Sequence, residues 1–198
     1  LEKLSTVSGV NWEKVDIFIV DERFLPLNDI DSNFLLINDN FLSRIRIPKE
    51  NVHYIPYGDD LETSRRQYEM RIQQHFGLAK GAIPEFDLIV LGIGLDGTTA
   101  SLFPETCHSD THELVTASAG VNGEPYGRIT LTLPVLNHAK NLFFLASGAE
   151  KAEVVEKVLG KHDTSLSAVK ASGSVKNVYY FLDSNASRLL YSRNGEDV

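Results

Sequence analysis

With a single cysteine, Cys107, the chain can form neither an intramolecular disulfide nor a cysteine-based zinc cage, which fits a reducing, cytoplasmic setting. Cationic side chains are scarce as well: 19 Lys and Arg stand against 27 Asp and Glu, leaving a net charge of −8 and a pI near 5.2. That balance excludes a broad nucleic-acid face, although a few local cations suffice to hold a small anion. No apolar run reaches the length that spans a bilayer, and the amino end lacks the basic-then-apolar pattern of a secretion signal. Repeats, low-complexity tracts and linkers are missing too, so nothing divides the chain. What is present, 42% hydrophobic and 23% charged residues over 198 positions, is enough for one soluble α/β domain with a real core and no nucleic-acid or membrane partner.

The stretch that organises the rest is FDLIVLGIGLDGTTASLFP at residues 86–104. Leu88, Ile89, Val90 and Leu91 form a short apolar run, which is expected to be a parallel-sheet strand buried on both faces. At its exit Gly92, Gly94 and Gly97 let the backbone turn sharply and approach a ligand, and Thr98 or Thr99 is expected to cap a short helix that Pro104 interrupts. Ligands of open α/β sheets bind beyond the carboxyl ends of the strands, so Asp96, Gly97 and Thr98 are the first candidates for chemistry.

A second strand is expected at 15–20, with Asp21-Glu22-Arg23 directly after it, and that location makes Asp21 and Arg23 the second candidates. Asp31 or Ser32 caps a helix whose stripe (Phe34, Leu35, Ile37, Phe41, Leu42, Ile45) reads as core before Pro48. A short strand at 52–55 precedes an amphipathic helix marked by Leu61, Tyr68, Ile72 and Phe76, which ends at Gly77. Further strands are expected at 128–133, 141–146 and 178–182. A turn or short helix follows Pro134, a helix opens at Gly148 and Lys151 and ends near Gly160, and a terminal helix covers 185–191. The alternation predicts a Rossmann-like open, mainly parallel sheet with helices on both faces.

Several chemical patterns compete for the glycine loop and the histidines. Gly92-x-Gly94-x-x-Gly97 after a strand formally matches the dinucleotide fingerprint, but Pro104 follows too closely for the long helix that motif requires, and Glu113 is only loosely placed as the ribose acid. His108 and His112 stand at i, i+4, yet they flank a polar stretch with no third ligand, and surface histidines are the simpler reading. His53, His75, His138 and His162 show no pairing pattern, so no metal site is expected. Gly94-Leu95-Asp96-Gly97 holds no serine where a nucleophile elbow would put one.

DER at Asp21 to Arg23, Ser32-Asn33, LGIGLDG with TASLFP, RITLT from Arg128 and SGAEKA around Lys151 occur in the order and spacing of one family. On these motifs nearly the whole chain resembles the 6-phosphogluconolactonase family, within the wider group that includes glucosamine-6-phosphate deaminase. The resemblance implies hydrolysis of 6-phospho-D-glucono-1,5-lactone to 6-phosphogluconate in the oxidative pentose phosphate pathway, with no organic cofactor. It implies that Arg23, Arg128 and Lys151 serve the substrate phosphate or its surroundings. Ser32, Asn33, Gly94 and Gly97 are implied as further substrate-binding positions, and Asp21 and Asp96 as acids that place sugar hydroxyls, water or the catalytic base.

Two departures accompany the resemblance. The family usually reads DGHTASLFP with histidine as general base, and this chain has Thr98 there, whose hydroxyl cannot act as a base near neutral pH. The family's initial strand, helix and glycine-rich phosphate loop have no counterpart before the segment beginning at Leu1, so a domain truncated at its amino end is expected. A deaminase is disfavoured because its DGHIAFNEP-type motif carries glutamate where this chain has Phe103. The alternative to an active lactonase is a sugar-phosphate-binding homologue that has lost its base.

Overall fold

Asparagine, serine and aspartate side chains start the first helices after the amino end, and a left-handed glycine stops the longest of them. The computed structural model describes residues 2–103, 106–120 and 125–191. In chain order it contains α1 (Glu2–Ser5), β1 (Ile17–Phe18), β2 (Asp21–Arg23), α2 (Asn33–Asn40), β3 (Val52–His53), α3 (Leu61–Phe76), β4 (Ile89–Gly92), β5 (Val115–Ser118), β6 (Arg128–Leu131), α4 (Leu133–Asn137), β7 (Asn141–Ala146), α5 (Ala152–Val155), α6 (Ser167–Ser172), β8 (Asn177–Leu182) and α7 (Arg188–Tyr191). The chain divides into two compact units, Leu1–Gly77 with Val115–Thr130 and Leu78–Leu114 with Leu131–Val198.

In the first unit β1 pairs in parallel with β3, and β2, β6 and β5 form a second ladder in that order. α3 is the principal helix. Asp60 caps it by accepting the Thr63 N–H at 2.8 Å, and Gly77, at φ +59°, closes it with its N–H on the Gln73 and Gln74 carbonyls. Its inward stripe carries Tyr68 and Ile72, both fully buried. The Tyr68 hydroxyl donates to the Ile19 carbonyl at 2.7 Å, and burial pushes its pKa upward. Arg65, on the same helix, donates to both Glu62 oxygens, to Glu69 and to the Val115 carbonyl of β5. A largely buried guanidinium is thereby satisfied by two carboxylates and a strand edge.

In the second unit β4, β7 and β8 form a parallel sheet, with Leu91 opposite Phe144 and Phe144 opposite Tyr180. Ile89, Leu91, Leu142 and Phe144 are buried, as are Val135, Leu136, Val155 and Ala168 of the helices in the same unit. Alternate residues face the other way: Leu88, Val90, Leu145, Tyr179 and Phe181 are 46–50% exposed. The expectation that 88–91 is buried on both faces therefore does not hold. The strand alternates in and out with the period of two that the pleat imposes.

The α/β class, with mainly parallel sheets and helices, is what the structure has. Boundaries differ where the ladder changes partner. The strand expected at 15–20 pairs only over Ile17–Phe18, since the chain bends at Val20 and then pairs elsewhere. The strand expected at 52–55 pairs over Val52–His53, and that expected at 128–133 stops at Leu131 where α4 begins. The stripe on α2 is only half-buried, and full burial begins at Phe41 and Leu42 just beyond it. β5 and α6 have no counterpart in the sequence reading. Among the described residues no helix is long and apolar enough to cross a membrane.

Candidate active site

The charged triplet Asp21-Glu22-Arg23 is itself a strand, antiparallel to β6, with Asp21 opposite Thr130, Glu22 opposite Ile129 and Arg23 opposite Arg128. The triplet, expected directly after the strand at 15–20, thus forms a separate strand of its own. Directly opposed residues of an antiparallel pair share one face of the sheet, so Arg23 and Arg128 project from the same side. Glu22 projects from the other side and is only 2% exposed. Its carboxylate accepts the backbone N–H groups of Arg23, Asn33 and Phe34, each at 2.8 Å, and the Ser32 hydroxyl at 2.9 Å. A negative charge at the first turn of α2 is favoured by the helix dipole and by the unpaired N–H groups there.

Ser32 completes that cap: its oxygen accepts the Leu35 N–H at 3.2 Å while its own proton goes to Glu22. Asn33 turns the other way. Its amide donates to the Asp21 carbonyl at 2.8 Å, and its oxygen accepts from Arg23 Nη1 at 3.4 Å; Nη1 also donates to the Asp31 carbonyl at 2.9 Å. Asp21, Arg23, Ser32, Asn33 and Arg128 are thus assembled in one place within the first unit. Glu22, which the sequence reading passed over, organises it.

The second assembly lies where β4 ends. Gly94 N–H donates to the Thr98 carbonyl at 2.7 Å, and Gly97 N–H donates to the Gly94 carbonyl at 3.0 Å, so residues 94–98 form a closed turn. Asp96 Oδ1 accepts both the Thr98 N–H, at 3.0 Å, and the Thr98 hydroxyl, at 2.7 Å. Gly97 has φ +83°, and a Cβ there would stand 2.6 Å from Leu166 Cδ2. A Cβ on Gly94 would stand 2.6 Å from Asp96 Oδ1 and Thr98 Oγ1 and would disturb the hydrogen bond between them, whereas Gly97 is favoured by its positive φ.

No helix follows this turn in residues 98–103, contrary to the expected cap by Thr98 or Thr99. Thr99 instead donates its hydroxyl to the Gly92 carbonyl at 2.8 Å and its N–H is bound by Ser167 Oγ at 3.1 Å. Pro104 lies outside the described residues. Without a helix N-terminus at this point, the glycine pattern lacks the feature on which a dinucleotide pyrophosphate rests.

Lys151, in the turn that leads into α5, reaches back so that its Nζ donates to the Ile93 carbonyl at 2.6 Å. Gly148 precedes it at φ +99°, and its N–H is held by the Asp183 carboxylate at the end of β8. Gly94, Asp96, Gly97, Thr98 and Lys151 therefore meet at the carboxyl ends of the parallel strands in the second unit, as open α/β sheets require of a ligand site.

The remaining sequence candidates have local explanations. His108 and His112 lie in a non-helical, exposed segment, so their i, i+4 spacing does not give a common face. Burial pushes the Cys107 thiol pKa upward, against the opposing effect of the Lys170 charge. His53 and His75, unpaired in the sequence reading, have ring centroids 4.8 Å apart.

Residues 1–178 match the family described as glucosamine-6-phosphate isomerases/6-phosphogluconolactonase. The chain is 35% identical over 171 residues to 6-phosphogluconolactonase of Rattus norvegicus, covering 86% of this chain and 66% of the relative. It is also 35% identical over 148 residues to that of Synechocystis, covering 74% and 61%. The chain thus spans a little under two thirds of the length of these curated relatives. Among solved structures it is similar to 6-phosphogluconolactonase from Thermotoga maritima, with a TM-score of 0.79 and 34% identity over 92% of this chain and 78% of that one.

Proposed function

The chain belongs to the glucosamine-6-phosphate isomerase/6-phosphogluconolactonase family, and we propose that within it the protein is a lactonase, hydrolysing 6-phospho-D-glucono-1,5-lactone to 6-phosphogluconate. The observation that carries the reading is the opposed pair Arg23 and Arg128. Both side chains project from the same side of the ladder, and a phosphate bound there would accept charge-assisted hydrogen bonds from both guanidinium groups. Phe103 favours lactonase over deaminase, because an aromatic ring cannot relay the proton that opening of an amino sugar requires. No cofactor enters the reaction, and the setting proposed is the cytoplasm.

Hydrolysis needs water to add to the ring carbonyl carbon, a proton to leave that water, and the ring C–O bond to break with a proton delivered to the departing oxygen. Asp96 is the acceptor proposed to orient the water. One of its oxygens already holds the Thr98 N–H and hydroxyl, which fixes the carboxylate. Lys151, anchored on the Ile93 carbonyl, sets a positive charge at the same strand end. Asn33 holds Arg23 in place, and Ser32 acts through Glu22 rather than on the substrate. Thr98 supplies no base, since a hydroxyl is not basic near neutral pH; it donates a hydrogen bond to Asp96 instead. Turnover is therefore expected to be slow for the family.

The same Thr98 to Asp96 hydrogen bond favours a second reading, in which the protein binds the sugar phosphate without turning it over. Lactone hydrolysis, with the spontaneous rate subtracted, decides between them. A rate proportional to protein concentration supports the lactonase. Saturable binding of 6-phosphogluconate with no such rate supports the binding protein, and neither signal overturns both.

A further inference from the structure

Away from these residues, the first unit brings Asp16, His53 and His75 together from three elements. Asp16 immediately precedes β1, His53 is the register partner of Phe18 on β3, and His75 lies in the last turn of α3. Asp16 Oδ1 stands 2.9 Å from His53 Nε2 and 3.8 Å from His75 Nδ1, and one ligand atom from each residue lies within 4.8 Å of the others. We propose that these three side chains form a binding site for a borderline first-row divalent cation, zinc above all, with water as the fourth ligand.

Geometry supports this. A tetrahedral ion with Zn–N and Zn–O bonds of about 2.0–2.2 Å holds its ligand atoms about 3.3–3.5 Å apart. The two Asp16 distances bracket that value and all three ligand atoms lie within 4.8 Å of one another, so side-chain rotations of roughly an ångström would bring the donors onto one ion. Chemistry narrows the choice of metal. Two imidazoles with one carboxylate suit zinc, cobalt, nickel or copper, whereas calcium and magnesium demand oxygen ligands throughout.

The rings are also held in place beforehand. Phe18 stacks on His53 at 4.0 Å between centroids and 11° between planes, and meets His75 edge-on at 5.1 Å. Phe76 packs against His75 at 5.1 Å. These contacts restrict both imidazoles before any ion arrives, which lowers the ordering cost of binding. The side chains are 15–34% exposed, enough to admit an ion from solvent while leaving a position for water. An ion there ties the β1–β3 ladder to the end of α3 and stabilises the folded chain by mass action.

Metal-stripped protein titrated with cobalt(II) provides the test, because tetrahedral cobalt absorbs strongly in the visible and needs no assay of turnover. Saturation at one cobalt per chain is expected, with the bands abolished by zinc and an upward shift in Tm on binding. His75→Gln and Asp16→Asn should weaken binding by about a hundredfold or more, beyond the about 10–100-fold that outer-shell changes cost. His112→Gln, at an exposed histidine, should leave it unchanged. Two variants at separate elements keep the test usable if one folds poorly. Bands that persist in both variants, or no saturable bands in the parent, overturn the proposal.

Discussion

Arg23 and Arg128 face each other across the β2–β6 ladder, on the side of the sheet opposite the buried carboxylate of Glu22. Two cations on one side of the ladder suit an anionic ligand. Arg128→Gln should weaken binding of 6-phosphogluconate by about ten- to a hundredfold, the worth of a charge-assisted hydrogen bond. Arg66→Gln, whose side chain is 68% exposed, should leave it unchanged. Calorimetry at low salt reads both, and equal affinities would remove Arg128 from the site.

Thr98 is predicted to set the rate. Thr98→His should raise turnover by about a hundredfold to ten-thousandfold, the usual worth of a general base, with a pH profile rising through the imidazole pKa. Thr98→Ala should change turnover little. A fast parent enzyme that Thr98→His slows would show that another base operates.

Glu22 is predicted to matter for stability. Glu22→Ala strands the N–H groups of Asn33 and Phe34 at the start of α2, and should cost about 2–3 kcal/mol in a urea melt. A loss below about 0.5 kcal/mol, typical of surface changes, would mean that water replaces the carboxylate.

Glu62 carries an acid-sensitive contribution. Its hydrogen bonds to Arg65, and then to Arg66, lower its pKa from 4.5 to about 2. A folded pKa below the unfolded one means stability that is present above pH 4.5 and lost as pH falls toward 2. The carboxylate is half exposed, so solvent screening limits the effect to on the order of 1 kcal/mol. Denaturant midpoints between those pH values should fall less steeply in Glu62→Gln than in the parent.

Local signals made some parts legible. The spacing of Leu61, Tyr68, Ile72 and Phe76, with Gly77 after them, defines α3 without reference to the rest of the chain, and the apolar run at 141–146 coincides with β7. The glycines at 94 and 97 announced a tight turn, and Gly97 takes a positive φ, +83°, that other residues rarely adopt. Other parts depend on partners distant in sequence. Asp21-Glu22-Arg23 has poor strand propensity and becomes a strand only because residues 128–130 lie beside it. Asp21 and Arg23 attracted notice as charges, whereas the role of Glu22 follows from an α2 terminus that folds back onto it. An unbroken apolar run such as 88–91 does not reveal which face meets another element, and Val90 proved half exposed. His53 and His75 meet only because a strand and a helix end converge on Asp16.

The turn at 94–98 is fastened from far along the chain: Thr99 N–H donates to Ser167, 68 residues later, and Ala168 N–H donates to the Gly97 carbonyl. During synthesis at roughly 5–20 residues per second, those fasteners emerge about 3–14 s after the turn itself. Until then the glycine-rich segment has its own short-range bonds and no lateral support. A nascent chain released before Ser167 would carry every residue of Gly94-Leu95-Asp96-Gly97-Thr98 without the bonds from 167 and 168 that brace its shape, so this turn should be among the last parts of the molecule to become protected against proteolysis.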